Sequence, residues 1–228
     1  MNIMSGEKLG SRQFVILKAD DLSFGDSRKD FSNWEKFFTY ITDRSIRTSV
    51  GIIGECLKRK EAPSIVKSLS ETNCFEFWNH GYNYEHKKEF LNSSYKKQKK
   101  LLTRTQNLGK GKLGITFRSF GAPRNATNED TRRVLEENEE IKVWLNGYLP
   151  SSKLVLTPQC ELEVKRDISF GRFVEDYSSR FPYLLLQCHP WRWTDKMFSE
   201  FNKVVNFLLQ KKAEFVTPYE YFLIISEH

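Results

Sequence analysis

Phe14-Val15-Ile16-Leu17-Lys18-Ala19-Asp20-Asp21 is the stretch on which the reading of this chain turns. Its first four residues are uniformly apolar, with no polar alternation, and the run is too short for a helix. That pattern suits a strand covered on both faces, as in a parallel sheet. The run then ends in adjacent carboxylates. Ionised groups at the end of a buried strand are costly unless a cation or a hydrogen-bond donor stands beside them. In an α/β barrel the same strand end is where active sites are built. Aspartates also cap ordinary strand–helix turns, so the pair alone leaves both roles open.

Similar short apolar runs recur at Thr48–Ile53, Phe75–Trp78, Ile115–Arg118, Ile141–Leu145, Leu154–Thr157 and Tyr183–Cys188. Stripes of helical period lie between them: Trp34, Phe37, Phe38 and Ile41; Leu91, Tyr95, Gln98 and Leu102; and Phe198, Phe201, Val204, Val205 and Leu208. Thr194 is the predicted N-cap of the last stripe. Thr127 with Asp130 has capping-box spacing ahead of residues 131–139, and Thr217-Pro218-Tyr219-Glu220 has it with proline at the first helical position. Strands alternating with helices predict an α/β protein, and about seven such units predict a barrel-like closure. No repeat or linker divides residues 1–228, so one domain is expected. Leu162 to Arg180 reads equally as helix or loop.

Composition narrows the function. The 228 residues hold 39% hydrophobic and 14% aromatic side chains, too many for a disordered chain. No apolar run approaches the ~20 residues that span a bilayer, so no membrane span is expected. Met1 to Arg12 is polar and lacks the apolar core of a secretory signal. Cys56, Cys74, Cys160 and Cys188 form no C-x-x-C pair and read as reduced, buried thiols in a cytoplasmic protein. A net charge of +7 permits an anionic ligand. The densest positive run, including Lys96, Lys97, Lys99 and Lys100, surrounds a helical stripe and reads first as a solvated face. No nucleic-acid motif is present, and no nucleic-acid partner is expected.

Other polar groups sit at predicted strand ends. Phe75-Glu76-Phe77-Trp78 runs into Asn79-His80-Gly81, and two of the four histidines, His80 and His86, lie in this region. Gly121-Ala122-Pro123-Arg124 follows the strand containing Ile115-Thr116-Phe117 and reads as a rigid turn exposing backbone N–H groups. Tyr183 to Cys188 ends in His189-Pro190-Trp191, where burial would tune an imidazole. Each signal also has a structural reading, as a loop histidine, a simple turn or a packed core histidine. Their joint placement at C-terminal strand ends is more informative than any one of them.

In this order the motifs resemble those of the polysaccharide deacetylase family, the NodB-type carbohydrate esterases, over nearly the whole chain from Val15 to Phe222. The resemblance implies a distorted (β/α) barrel of about seven parallel strands. It implies metal-assisted hydrolysis of an N-acetyl group on a sugar, with Asp20 as general base, Asp21 and His80 as metal ligands, the Arg124 N–H at the oxyanion and His189 as general acid. A mixed His/Asp site with an open position makes zinc the expected ion. Members without a signal peptide, encoded among surface-polysaccharide assembly genes, are the most similar, which implies an N-acetylated glycan intermediate as substrate.

Two positions depart from the family pattern. Its second metal histidine, four residues after the first, is here Tyr84. His86 stands six residues on, about 240° around a helix from His80, and serves as third ligand only from irregular backbone. Three outcomes follow: His86 completes the set, Asp21 and His80 bind the ion with water, or no metal binds. The family's arginine that orients the base falls at Gly121, leaving Arg118 or Arg124 to compensate. The competing reading is therefore a catalytically degenerate protein that binds a glycan or partner enzyme, with Trp78, Trp144, Trp191 and Trp193 as candidate stacking faces.

Overall fold

The computed structural model describes residues 12–24, 28–83 and 88–227. Strand β1 (Phe14–Leu22) is an interior strand of its sheet with both faces covered, and Val15, Ile16, Leu17 and Ala19 are fully buried. Around it lie β2 (Thr48–Ile52), β3 (Phe75–Asn79), β4 (Ser119–Phe120), β5 (Val143–Leu145), β6 (Leu154–Leu156), β7 (Tyr183–Cys188) and β8 (Glu214–Phe215). The order is β6-β5-β4-β3-β2-β1-β7, every pairing is parallel, and the seven strands curl into a half-barrel. β8 pairs with β1 at Phe14 and Val15, while β2 pairs with it from Lys18 onward.

Helices α1 (Arg28–Asp43), α2 (Ala62–Glu71), α3 (Tyr95–Leu108), α4 (Glu129–Glu136), α5 (Phe170–Asp176), α6 (Asp195–Gln210) and α7 (Pro218–Ser226) link the strands. Alternation along β1 separates two cores. Val15, Leu17 and Ala19 face the aromatic layer of α1 and α6, with Trp34, Phe37, Phe201 and Val205. Phe14 and Ile16 face the inside of the curl with Trp78, Val143, Leu145, Leu185 and Tyr221. The same parity points Lys18 and Asp20 inward, above the apolar floor.

Most expected elements form. Thr194 caps α6 by accepting the Met197 N–H at 3.3 Å. Thr217 and Glu220 form the expected reciprocal box, with distances of 2.8 and 3.3 Å. Two expectations are corrected. The fourth strand is Ser119–Phe120, not Ile115–Arg118, because the Gln106 side chain takes the Phe117 carbonyl at 3.1 Å in place of a ladder partner. The cap of α4 is Asn128, not Thr127: Asn128 accepts the Thr131 N–H, and the Thr131 hydroxyl accepts the Asn128 N–H, both at 3.1 Å. In the ambiguous stretch 162–180, Ser169 caps the short α5.

Candidate active site

The end of β1 is irregular, and that irregularity builds the site. Its register against β2 slips between Ala19 and Leu22, a bulge that disturbs alternation. Asp21 adopts φ 68°, a left-handed conformation that aspartate tolerates better than most residues. The consecutive carboxylates thereby reach the same imidazole: His80 Nε2 lies 3.1 Å from Asp21 Oδ1 and 4.0 Å from Asp20 Oδ2.

His80 is 1% exposed and follows β3. Its Nδ1 lies 2.7 Å from the Gly121 carbonyl, which makes Nδ1 the protonated nitrogen and turns Nε2 toward the carboxylates. Trp78 packs edge-on against the ring at 4.8 Å. The turn beyond is locked from several sides. The Asn79 amide donates to the Leu102 carbonyl and Gln106 Oε1, and its oxygen accepts the Gly81 N–H. Glu89, itself buried, accepts the Tyr82 and Asn83 N–H groups at 2.7 and 3.3 Å. Gly81 sits at φ 74° with Glu89 Oε1 2.1 Å from where a Cβ would stand, so only glycine fits. Burial pushes the Glu89 carboxyl up to about 7 despite those hydrogen bonds. Burial opposes a charged His80, but the charge of Asp20 and the hydrogen bond and charge of Asp21 outweigh it and raise its pKa. Burial likewise opposes an ionised Asp21, and its hydrogen bond to His80 together with the charges of His80, His189 and Lys18 lowers its pKa.

The pair Asp21–His80 fits one edge of a divalent site. Ligands at the ~2.0–2.1 Å bond lengths of tetrahedral zinc stand roughly 3.3 Å apart, and the two donor atoms are separated by 3.1 Å. Among the described residues no group of three or more His, Cys, Asp and Glu is arranged to hold a metal. His86, the expected third ligand, and Tyr84, in the expected ligand's place, lie outside the described residues.

Asp20 is 2% exposed and surrounded by donors. Lys18 Nζ lies 2.7 Å from Oδ1 and 2.5 Å from Oδ2, and Gln187 Nε2 donates to Oδ2 at 2.8 Å. Gln187 Oε1 in turn accepts from Asn125 and Asn146 at 2.9 and 3.3 Å. The expectation that Arg118 or Arg124 serves this carboxylate is corrected: Arg118 lies over the Tyr219 ring, 5.7 Å from its centroid, and the Arg124 side chain is exposed. No arginine fits at Gly121 either, where a Cβ would stand 3.0 Å from the Trp78 ring and 3.3 Å from Leu145 Cβ.

Arg124 occupies the turn Pro123–Asn125 at φ 62°. The Asn125 N–H closes this turn on the Ala122 carbonyl at 2.9 Å, and the Arg124 N–H takes no part in that bond. His189 follows β7, and its Nδ1 lies 2.8 Å from Glu163 Oε2. Glu163 is almost fully buried and also accepts the His189 backbone N–H at 2.8 Å, the Trp193 indole N–H at 2.5 Å and the Arg192 guanidinium. Burial alone would raise its pKa, but the hydrogen bond and charge of His189, with the other donors, hold it low. A cavity of about 250 Å³ opens beside His189, walled by Gln187, Asn125, Asn146, Arg192 and the segment after β6. Trp78 and Trp144 are fully buried and Trp193 is 3% exposed, so none of them offers the stacking face considered for it.

The fold thus gathers Asp20, Asp21 and His80 directly and reaches His189 through Gln187, whose strand pairs with β1 at Lys18. Sequence reading passed over Lys18, Gln187 and Glu163. A charged residue inside an apolar strand run was the available signal for Lys18; Glu163 offered none, lying 26 residues from His189 without periodicity around it.

The sequence model of the polysaccharide deacetylases matches residues 10–140, more than half of the chain. No curated protein matches it. Among solved structures, the fold is similar to the Xyl-CE4 domain of a multidomain xylanase from the hindgut metagenome of Trinervitermes trinervoides, with TM-score 0.67 and 16% identity over 94% of this chain and 92% of that one. A family 4 acetyl xylan esterase from Clostridium thermocellum, in complex with a cobalt ion, gives TM-score 0.66 and 13% identity over 92% and 91%. A CE4 family pseudoenzyme from Bacillus anthracis gives 0.67 and 12% over 92% of this chain and 66% of that one. The family match, over a half-barrel carrying acidic and imidazole groups at its strand ends, establishes that this chain belongs to the polysaccharide deacetylase family.

Proposed function

We propose that the protein hydrolyses the N-acetyl group of a sugar in an N-acetylated glycan intermediate of surface-polysaccharide assembly. The observation that carries this reading is the convergence of Asp20, Asp21 and His80, with Gln187 joining Asp20 to a cavity that His189 also lines. Asp21 and His80 would hold a divalent ion, for which their donor types suit zinc, and which when bound polarises a carbonyl and acidifies water. Asp20, held by Lys18 and Gln187, takes the proton of the attacking water. The Arg124 N–H faces the developing oxyanion. With Nδ1 against Glu163, His189 presents Nε2 and gives its proton to the amine nitrogen as the C–N bond breaks. The cavity, smaller than a drug-sized pocket, suits one sugar unit. Four buried free cysteines support a reducing, cytoplasmic setting, and among the described residues no helix is long and apolar enough to cross a membrane.

The test is acetate release from an N-acetylglucosamine oligomer, with added zinc and after chelation. Release that chelation abolishes and zinc restores is expected, and Asp20→Asn should lower it about 10²–10⁴-fold, to a residual rate. No release with zinc present, together with retained binding of the oligomer, would favour the binding-only reading.

A further inference from the structure

Lys18 is fully buried, a state lysine almost never occupies unless paired. It stands on an inner-face position of β1, two residues before Asp20 and above Phe14 and Ile16, where an aliphatic side chain would extend the floor. Its ammonium meets both oxygens of Asp20, at 2.7 and 2.5 Å, and lies 5.1 Å from the centroid of the Trp78 ring. Trp78 is itself fixed, with Gly51 and Gly121 leaving room for the indole and for no further side chain. Stability does not account for this arrangement. Taking an ammonium and a carboxylate out of water costs several kcal/mol per ion, and well-packed apolar residues at such places are as good or better. What the pair supplies is geometry. A strand-borne lysine two residues from the carboxylate shares its backbone frame, and the second contact from Gln187 Nε2 at 2.8 Å fixes the carboxylate plane from the adjoining strand.

We propose that Lys18 is the positioning residue for Asp20: it holds the carboxylate in one rotamer, bidentately, facing the Asp21–His80 pair. The role rests on the hydrolytic reading above. It differs from a catalytic role in that Lys18 acts through Asp20, its ammonium being fully buried against that carboxylate.

The test is a double-mutant cycle on the zinc-loaded full chain, reading kcat, KM, zinc content and melting temperature. Lys18→Met should lower kcat about 100-fold, the scale of a 1 Å misplacement of a reacting group, with KM within twofold and zinc content unchanged. In the Asp20→Asn background the same substitution should cost less than twofold in residual rate, because the group it positions is gone. Lys18→Met/Asp20→Asn should also melt above Lys18→Met, since it leaves no buried charge unpaired. If Lys18→Met does not fold, Asp20→Asn compared with Lys18→Met/Asp20→Asn still decides: equal residual rates support positioning, and a further large loss overturns it. A Lys18→Met protein with kcat within threefold of the wild type overturns the inference alone. A wild-type chain that releases no acetate with zinc bound sinks the hydrolytic reading, and the positioning role with it.

Discussion

His189 has its Nδ1 against a buried carboxylate that accepts three further donors, so its ring is oriented before any substrate arrives. On the proposed mechanism, removing it takes away the proton donor and leaves the Asp21–His80 pair in place. His189→Ala should therefore lower acetate release by about 10²–10⁴-fold while the zinc content measured by atomic emission stays the same. Unchanged turnover would displace His189 from the general-acid role. At this scale much of the site was legible: Asp20, Asp21, His80 and His189 were visible because each interrupts or ends an apolar run, and buried polarity demands a reason. The partners were not. Glu163 meets His189 only through tertiary packing, and the pairing of Lys18 with Asp20 is not visible in the motif, since a side chain's partner on its own strand is set by rotamer and depth rather than by spacing.

At the scale of elements, the long central strands were readable because a strand covered on both faces is apolar at every position. The peripheral ones were less so. β4 is two residues long, and a helix-borne side chain, Gln106, takes over the backbone group that a longer ladder would have used. The capping box of α4 moved by one residue because threonine, rather than an acid, closes it. The pairing of β1, β2 and β3 also depends on one small residue. Gly51 lies under Trp78, whose ring atoms stand 2.5 Å from where a Cβ would go. Gly51→Ala should cost about 2–3 kcal/mol by overpacking, read as a lowered denaturation midpoint. Adding Trp78→Phe should recover part of the loss. A silent Gly51→Ala would mean the indole moves freely, contrary to its enclosure.

For the whole molecule, the buried carboxyls set a pH dependence with a definite sign. Glu89 is raised from 4.5 to about 7, chiefly by burial, and Glu76 is raised for the same reason. A carboxyl with a higher folded than unfolded pKa binds more protons in the folded state between the two values, so stability falls as pH rises through that window. Between 4.5 and about 7, Glu89 alone accounts for up to about 3 kcal/mol. His80, also raised, contributes stability that is lost in the same direction. Asp21 and Glu163 are lowered, and their contribution is lost only as pH falls below the ordinary carboxylate range. Urea midpoints should therefore be higher near about pH 5 than near about pH 7.5, and Glu89→Gln should flatten the difference. A midpoint that rises across that interval would contradict the assignment.

The strand order leaves β6 and β7 as outer strands that do not pair with each other. Across the opening, Gln159 accepts the Leu185 N–H and the Tyr183 hydroxyl meets the Thr157 N–H, both at 3.3 Å. Residues 158–163, immediately beyond β6, form one wall of the space beside His189. The two edges are thus joined by side chains rather than by a ladder of backbone pairs, among them Glu163, which accepts the His189 backbone N–H and meets its Nδ1. The staves at this seam are held by side chains, and the seam borders His189, so a change at Glu163 would reshape that space without breaking a strand pairing.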